Sequence, residues 1–251
     1  MITLRTVTGL ALAAAALGLV AAPAANAAPS SIVSINFGSD ATGGAGGTTT
    51  LAATATAGVV PAANFNNVPG FGNASGPLNN STGAVTAITE SNTATDTFTS
   101  GSAALGTPDG ILNNGFIETG GAGPAYTVTL NGLSATDNYS LYVLTSTDGG
   151  ARTANYSIGT NVQTVNQVKF NGTYAQGVNY ALFSNLTGSA FLTLTAAATT
   201  PNDGFPRASI TGLQLIDNTP AVPEASSSIG LGLMLALGGL VVIARKKSLR
   251  A

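Results

Sequence analysis

The chain has no cysteine, no histidine and no tryptophan, and charged side chains make up only 7% of its 251 residues. Each absence removes a class of chemistry. Without cysteine an exported domain cannot be stapled by disulfides, so its stability must come from a packed core. Zinc and iron–sulfur sites built on thiolates go as well. Without histidine no imidazole is present to take the proton of a serine nucleophile. Between residues 28 and 221 Lys169 is the only lysine and stands in no motif, so a Ser–Lys pair has little to rest on. Without tryptophan, any sugar-stacking platform falls to tyrosine.

Charge of one sign is scarce too. In that same span the only cations are Arg152, Lys169 and Arg207, against the nine acids Asp40, Glu90, Asp96, Asp109, Glu118, Asp137, Asp148, Asp203 and Asp217. Phosphate backbones demand clustered Lys and Arg, so nucleic acid is excluded as a partner. Asn, Thr, Ser and Gly must carry solubility instead. Richness in Thr, Val and Ile separates this composition from that of disordered segments.

What is present concentrates at the two ends. Residues 1–27 read as a secretory signal peptide. Arg5 supplies the n-region, Val7 to Ala22 the apolar h-region, and Ala25 and Ala27 the small-x-small site before Ala28. Residues 222–251 are tripartite: Val222-Pro223-Glu224, an uncharged span 226–244, then Arg245, Lys246, Lys247 and Arg250. About 20 mostly apolar residues cross a bilayer core as a helix. The span 226–244 reaches that length, and the basic residues after it predict a cytoplasmic C-terminus and an inner-membrane-anchored precursor.

Pro-Glu, an apolar Gly/Leu-rich span and a terminal basic cluster resemble the PEP-CTERM sorting signal of Gram-negative bacteria. The resemblance implies recognition by an exosortase, a membrane-embedded protease, and transfer of the passenger to the cell surface or the extracellular matrix of a biofilm. The usual second proline of the motif is Ala225 here.

Between the ends, residues 28–221 are long enough for one domain with a real core. Patterning predicts strands at Ser31 to Phe37, Ala84 to Thr89, Asp96 to Thr99, Tyr126 to Leu130 and Tyr139 to Thr145. More follow at Thr153 to Ile158, Val162 to Phe170, Val178 to Phe183, Ala190 to Thr195 and Arg207 to Ile216. Tyr126, Val128 and Leu130 alternate with threonines, whereas Tyr139 to Thr145 reads as a strand covered on both faces. Gly38 to Gly47 reads as a loop, with Gly43 to Gly47 a flexible surface stretch; Asn131-Gly132 and Asp148-Gly149 carry turn chemistry. Short strands at near-regular spacing predict an all-β, antiparallel two-sheet sandwich or jelly roll.

The order of Ile35-Asn36-Phe37-Gly38, Val60 to Asn67, Leu130-Asn131-Gly132-Leu133, Tyr139 to Val143, Gly177-Val178-Asn179-Tyr180 and Ile210 to Leu215 resembles galactose-binding-like β-sandwich modules. That resemblance implies sugar binding in many members and a structural calcium in some. Phe65 stands where such modules often carry tryptophan.

No residue set predicts catalysis, and the expectation is a protein that is not an enzyme. Asp109 and Asp203 lie in Pro-Asp-Gly and Asn-Asp-Gly sequences that read as Asx turns before they read as a glycosidase pair. Asp40, Asp109, Asp137, Asp148 and Asp203 offer oxygen ligands for calcium, which a site could use only if separate loops brought them together. Tyr142, Tyr156, Tyr174 and Tyr180 read as strand packing before sugar platforms. Three functions therefore stand, in this order: a structural surface or matrix protein, a carbohydrate-binding module, and a carboxylate-dependent enzyme acting on glycans.

Overall fold

Strands form along this chain wherever alternation lets one face be buried, and the alternating threonines of Tyr126 to Leu130 show it most cleanly. A computed structural model describes residues 31–120, 125–200 and 207–219. The first strands are β1 (Ser31–Phe37), β2 (Asn66–Val68), β3 (Ala74–Ser75), β4 (Thr89–Asn92), β5 (Asp96–Thr99) and β6 (Gly115–Glu118). They are followed by β7 (Tyr126–Asn131), β8 (Tyr139–Leu144), β9 (Arg152–Ile158), β10 (Asn161–Gln167), β11 (Tyr180–Leu186), β12 (Phe191–Thr200) and β13 (Gly212–Asp217). One 3-10 turn, Ser102–Leu105, and one short helix, α1 (Pro108–Leu112), separate β5 from β6.

The fold is all-β and sandwich-like. One sheet has the order β11-β8-β13-β1-β2, the other β10-β9-β12-β7-β4-β3, and β5 pairs with β6 alone. Pairing is antiparallel except at β1 and β2, whose short ladder is parallel. The two larger sheets share one apolar core. Val33, Ile35 and Phe37 of β1, Leu141 and Val143 of β8, and Leu213 and Leu215 of β13 meet Val128, Leu130, Tyr156, Leu192 and Leu194 of the second sheet.

The outer face of the first sheet is covered as well. Residues 48–65 lie across it, and Leu51, Ala57, Ala62 and Phe65 form a second cluster with Leu112 and Leu144. Amide hydrogen bonds tie it down: Asn36 Nδ2 donates to Thr49 O at 2.7 Å and to Asn67 Oδ1 at 2.7 Å. Gln214 Nε2 donates to Val60 O at 2.6 Å, and Val60 N–H returns a bond to Gln214 Oε1 at 3.1 Å. Burial on both faces explains why β1 and β13 mix Asn, Ser and Gln with aliphatic residues and yet stay dry.

Several expected elements differ. Within the expected strand Ala84 to Thr89, residues 84–88 are a loop, because Asn80 Oδ1 accepts from Thr82 N–H and Ala84 N–H and folds the chain locally. Val85 is left 72% exposed, and β4 starts only at Thr89. Arg207 to Thr211 is not part of β13; Ile210 exchanges two backbone bonds with Ile117 of β6 instead. Strand β10 stops at Gln167, where the chain turns inward so that Phe170 N–H reaches Ser146 Oγ at 3.0 Å. Strand β8 is not covered throughout: Ser140 and Tyr142 are only half-buried. Strand β12 runs on to Thr200 because Ala196, Ala197 and Ala198 pair with β9. The sequence Thr107-Pro108-Asp109-Gly110 is no Asx turn but the start of α1. Thr107 Oγ1 caps Gly110 N–H at 3.1 Å, Pro108 takes the first helical position and Asp109 the first turn.

The ladder between β1 and β13 sets the poles of the domain. Ser31 pairs with Asp217 at one end and Asn36 with Gly212 at the other. A seven-residue strand separates them by roughly 20 Å. Both chain ends therefore leave the described domain from one terminal pole, where Tyr139 also pairs with Asp217. The far pole carries Leu144, Thr145, Thr211 and Gly38.

Leu141 is 1% exposed in the shared core, whereas Val162 on β10 is 52% exposed. Leu141→Ala is expected to cost about 2–5 kcal/mol and Val162→Ala within about 0.5 kcal/mol. Chemical denaturation of both variants checks this.

Candidate functional site

The terminal pole holds a cavity of about 240 Å³ between the two sheets, lined by Ser31, Val33, Thr86, Ile88, Asp137, Tyr139 and Asp217 among others. Tyr139 bridges it: the hydroxyl accepts from Ser134 N–H at 3.1 Å and donates to Asp137 Oδ2 at 3.4 Å. Burial pushes the Tyr139 hydroxyl up, helped by the negative charges of Asp137 and Asp217. Asp217 Oδ1 itself accepts from Thr219 N–H at 2.8 Å. Asn218 N–H is tied to Asn138 O at 2.7 Å, so the backbone is anchored up to the point where it leaves the domain.

The far pole holds a buried polar layer. Gln167 Nε2 donates to Tyr156 Oη at 2.7 Å, Ser209 Oγ at 2.9 Å and Ser209 O at 3.0 Å, and also contacts Thr145 Oγ1. Ser100 and Ser102 share a bond of 2.7 Å, and Thr211 Oγ1 donates to Asn113 Oδ1 at 3.1 Å. This layer closes the core where the sheet edges end, and burial holds the Tyr156 hydroxyl well above its ordinary range. Its hydroxyls bond to amides, carbonyls and one another, with no base beside any of them. It is a structural plug.

One cluster of ionised groups stands out. Arg207 Nη1 lies 2.9 Å from Glu118 Oε1, Arg152 Nη1 lies 3.6 Å from Glu118 Oε2, and Arg152 Nη2 pairs with Asp148 Oδ1. The side chains of Glu118 and Arg152 are 0% and 2% exposed. Burial pushes the Glu118 carboxyl up, against the pull of Arg207 and then Arg152. Both arginines of the domain thus converge on one carboxylate. Strand β6, the start of β9 and the segment leading to β13 are joined through it. Patterning missed Glu118 because β6 is buried along its whole length, so a short run with one acid in it shows no alternation.

The other predicted residues fall into structural roles. Asp109 Oδ1 accepts from Gly58 N–H at 2.7 Å and from Tyr174 Oη at 3.1 Å. Asp40 Oδ1 accepts from Gly70 N–H at 2.5 Å, and Asp148 is taken by Arg152. Among the described residues no three acids gather in a group that could hold a metal ion. Asp203 lies outside the described residues, so the pairing of Asp109 with Asp203 does too. Tyr156 is core, and Tyr174 stacks on Phe170 at a centroid distance of 4.7 Å. Tyr142 and Tyr180 face each other across β8 and β11 at 5.8 Å, both half-buried.

Ala25, Ala27 and Ala28, the motif Val222, Pro223 and Glu224, the span 226–244, and Arg245, Lys246, Lys247 and Arg250 all lie outside the described residues. Among the described residues no helix is long and apolar enough to cross a membrane. No protein-family model matches the chain, and no curated protein matches it significantly.

Two tests follow from the buried acids. Glu118→Gln removes the buried negative charge that faces two guanidinium groups, and an expected loss of about 3–5 kcal/mol should show in urea unfolding. Glu90 is buried on β4, with Asn92 and Ser75 as its hydrogen-bond donors, and desolvation pushes its carboxyl from 4.5 up to about 7. In that window the folded state holds a proton that the unfolded chain has lost. Stability should therefore fall as pH rises from about 4.5 to about 7. Glu90→Gln should flatten that part of the profile, as read by unfolding at stepped pH.

Proposed function

We propose that the chain is an exported structural protein of the cell surface or extracellular matrix, delivered through a signal peptide (1–27) and sorted through its tail (222–251). The single observation that carries this reading is the order of the tail: Val222-Pro223-Glu224, an uncharged span 226–244, and Arg245, Lys246, Lys247 and Arg250. In this reading 226–244 crosses the inner membrane as a helix and an exosortase-type protease acts near the motif. The register of β1 against β13 suits that arrangement. Both ends of the domain emerge together, so a single attachment at the terminal pole would leave the far pole and both outer faces free.

The acids support a non-enzymatic role. Glu118 is held by two arginines, Asp109 by Gly58 and Tyr174, and Asp40 by Gly70. A general acid or base needs a carboxyl free to exchange its proton with substrate, and these are committed to the fold.

The carbohydrate-binding reading has one observation of its own, the half-buried pair Tyr142 and Tyr180 on the outer face of the first sheet. An amphipathic aromatic pair of that kind suits a sugar ring. A melting shift with matrix polysaccharide that disappears in Tyr142→Ala would favour it.

Sorting is tested by intact-mass analysis of the protein from its native host, with matrix and membrane fractions separated. The expected species starts at Ala28 and ends near Val222. A species retaining residues 229–251 in the inner-membrane fraction would sink the proposal.

A further inference from the structure

Lys169 is the only lysine in an acidic domain, and the fold sets it over a floor of glycine. The Gly43 to Gly47 loop has no lysine of its own in sequence, but Lys169 comes to it from more than a hundred residues away. With Gly46, Gly47, Thr48, Gly101 and Ala103 it lines an open cavity of about 480 Å³ at the far pole. That size falls in the range of small-ligand sites.

Four features make this a built site. The first is charge. Arg152 and Arg207 are engaged with Glu118, whereas Lys169 is exposed and makes no ion pair with any described residue. No carboxylate lines the cavity, and acids beyond about 8–10 Å are screened at physiological salt.

The second is space. Gly47 and Gly101 have φ of +94° and +78°, a region L side chains rarely adopt. A Cβ at Gly101 would stand 2.7 Å from the Ala45 methyl and 3.0 Å from Lys169 Nζ. The missing side chain at Gly101 is what lets the Lys169 ammonium group lie against the backbone there.

The third is rigidity. Asn114, fully buried, donates from Nδ2 to Gly46 O at 3.1 Å and Thr48 O at 3.0 Å, and accepts Gly101 N–H at 2.7 Å. One amide therefore pins both walls, and Thr99 Oγ1 adds a bond from Gly46 N–H at 2.7 Å. The stretch expected to be a flexible loop is held before any ligand arrives, which lowers the ordering cost of binding.

The fourth is donors. The N–H groups of Gly47 and Thr48 donate to no acceptor among the described residues. Both residues line the cavity with Lys169, and backbone N–H groups without an acceptor near an ammonium group match an oxyanion.

We infer that the cavity under Lys169 binds a small oxyanion, the carboxylate of an acidic sugar or a free phosphate. The net negative charge of the domain works against long polyanions, so the ligand is a short acidic group and binding is weak. This site does not depend on how residues 222–251 are processed, so it and the sorting proposal can each fail alone.

The test uses the purified full chain in detergent, titrated by calorimetry with trigalacturonate, neutral galactotriose and inorganic phosphate. Trigalacturonate, phosphate or both should bind, and galactotriose should not. Binding of trigalacturonate alone identifies the sugar acid as the source, and binding of phosphate alone identifies the free anion. Lys169→Gln should weaken the bound anion by about tenfold or more, with Lys169→Arg within about threefold of the parent. Lys169 is exposed, so both variants should keep the parent melting temperature. Equal affinity in Lys169→Gln, equal binding of galactotriose, or no anion binding up to roughly 10 mM would overturn the inference.

Discussion

The antiparallel ladder between the first and last described strands is the constraint on which the rest depends. β1 lies between β13 and β2, and β13 lies between β8 and β1, so the middle of one sheet is made from the two ends of the domain. The chain between them must pass back and forth between the two sheets, adding β2, β8 and β11 to the first as it builds the second. Closure between residues this distant is entropically expensive, and the non-local ladder is worth its loss only when the core beneath it is complete. No disulfide shares the task, so β1 and β13 hold their places by burial on both faces.

That burial explains the unusual polar content of the interior. Asn36 and Gln214 stand on central strands, where aliphatic side chains would be the plainer solution. Each instead bonds the segment 48–65 that covers the outer face, fixing where that segment lies. An amide left without a partner in such a place would lose roughly 1–3 kcal/mol, so the covering segment and the sheet specify each other. The same logic holds at the far pole, where Gln167, Ser209, Thr145 and Tyr156 close the core through shared hydrogen bonds. A domain with few charges uses amides and hydroxyls for specificity that others obtain from ion pairs, and keeps its two arginines for one junction at Glu118.

Particular residues show where the sequence was legible. Alternation placed β7, because Tyr126, Val128 and Leu130 face the core and the threonines between them face outward. β1, β5 and β9 were legible for related reasons. Patterning failed where local hydrogen bonds outcompete the ladder. Asn80 folds back residues 84–88 despite their strand-like composition, and Asn179 and Val178 donate to Ala175 O, delaying β11 until Tyr180. It failed again where all faces are buried: β6 carries Glu118 inside the protein, paired with arginines supplied from distant positions. The short helix α1 was read as an Asx turn instead, because Pro-Asp-Gly carries turn chemistry; Thr107 as cap, Pro108 at the first position and Asp109 in the first turn are the signals that decide for the helix. The cavity at Lys169 was not readable, since its lysine, its two groups of glycines and the asparagine that clamps them come from four separate segments.

These placements divide the chemistry of the domain between its poles. At the terminal pole the chain enters and leaves, and the local charge is negative, from Asp137 and Asp217 around Tyr139. Toward the far pole the exposed cation is Lys169, above backbone that glycine leaves bare, and the acids nearby, Asp40 and Asp148, are engaged by Gly70 and Arg152. A domain held by one end on a surface presents its other end outward, and electrostatic encounter is governed by the charge on the face presented. The scarcity of cations then becomes intelligible. With both arginines engaged at Glu118, Arg152 buried and Arg207 largely covered, the one lysine left exposed has no strong competitor on the domain, so even a weakly acidic group has one preferred place to bind.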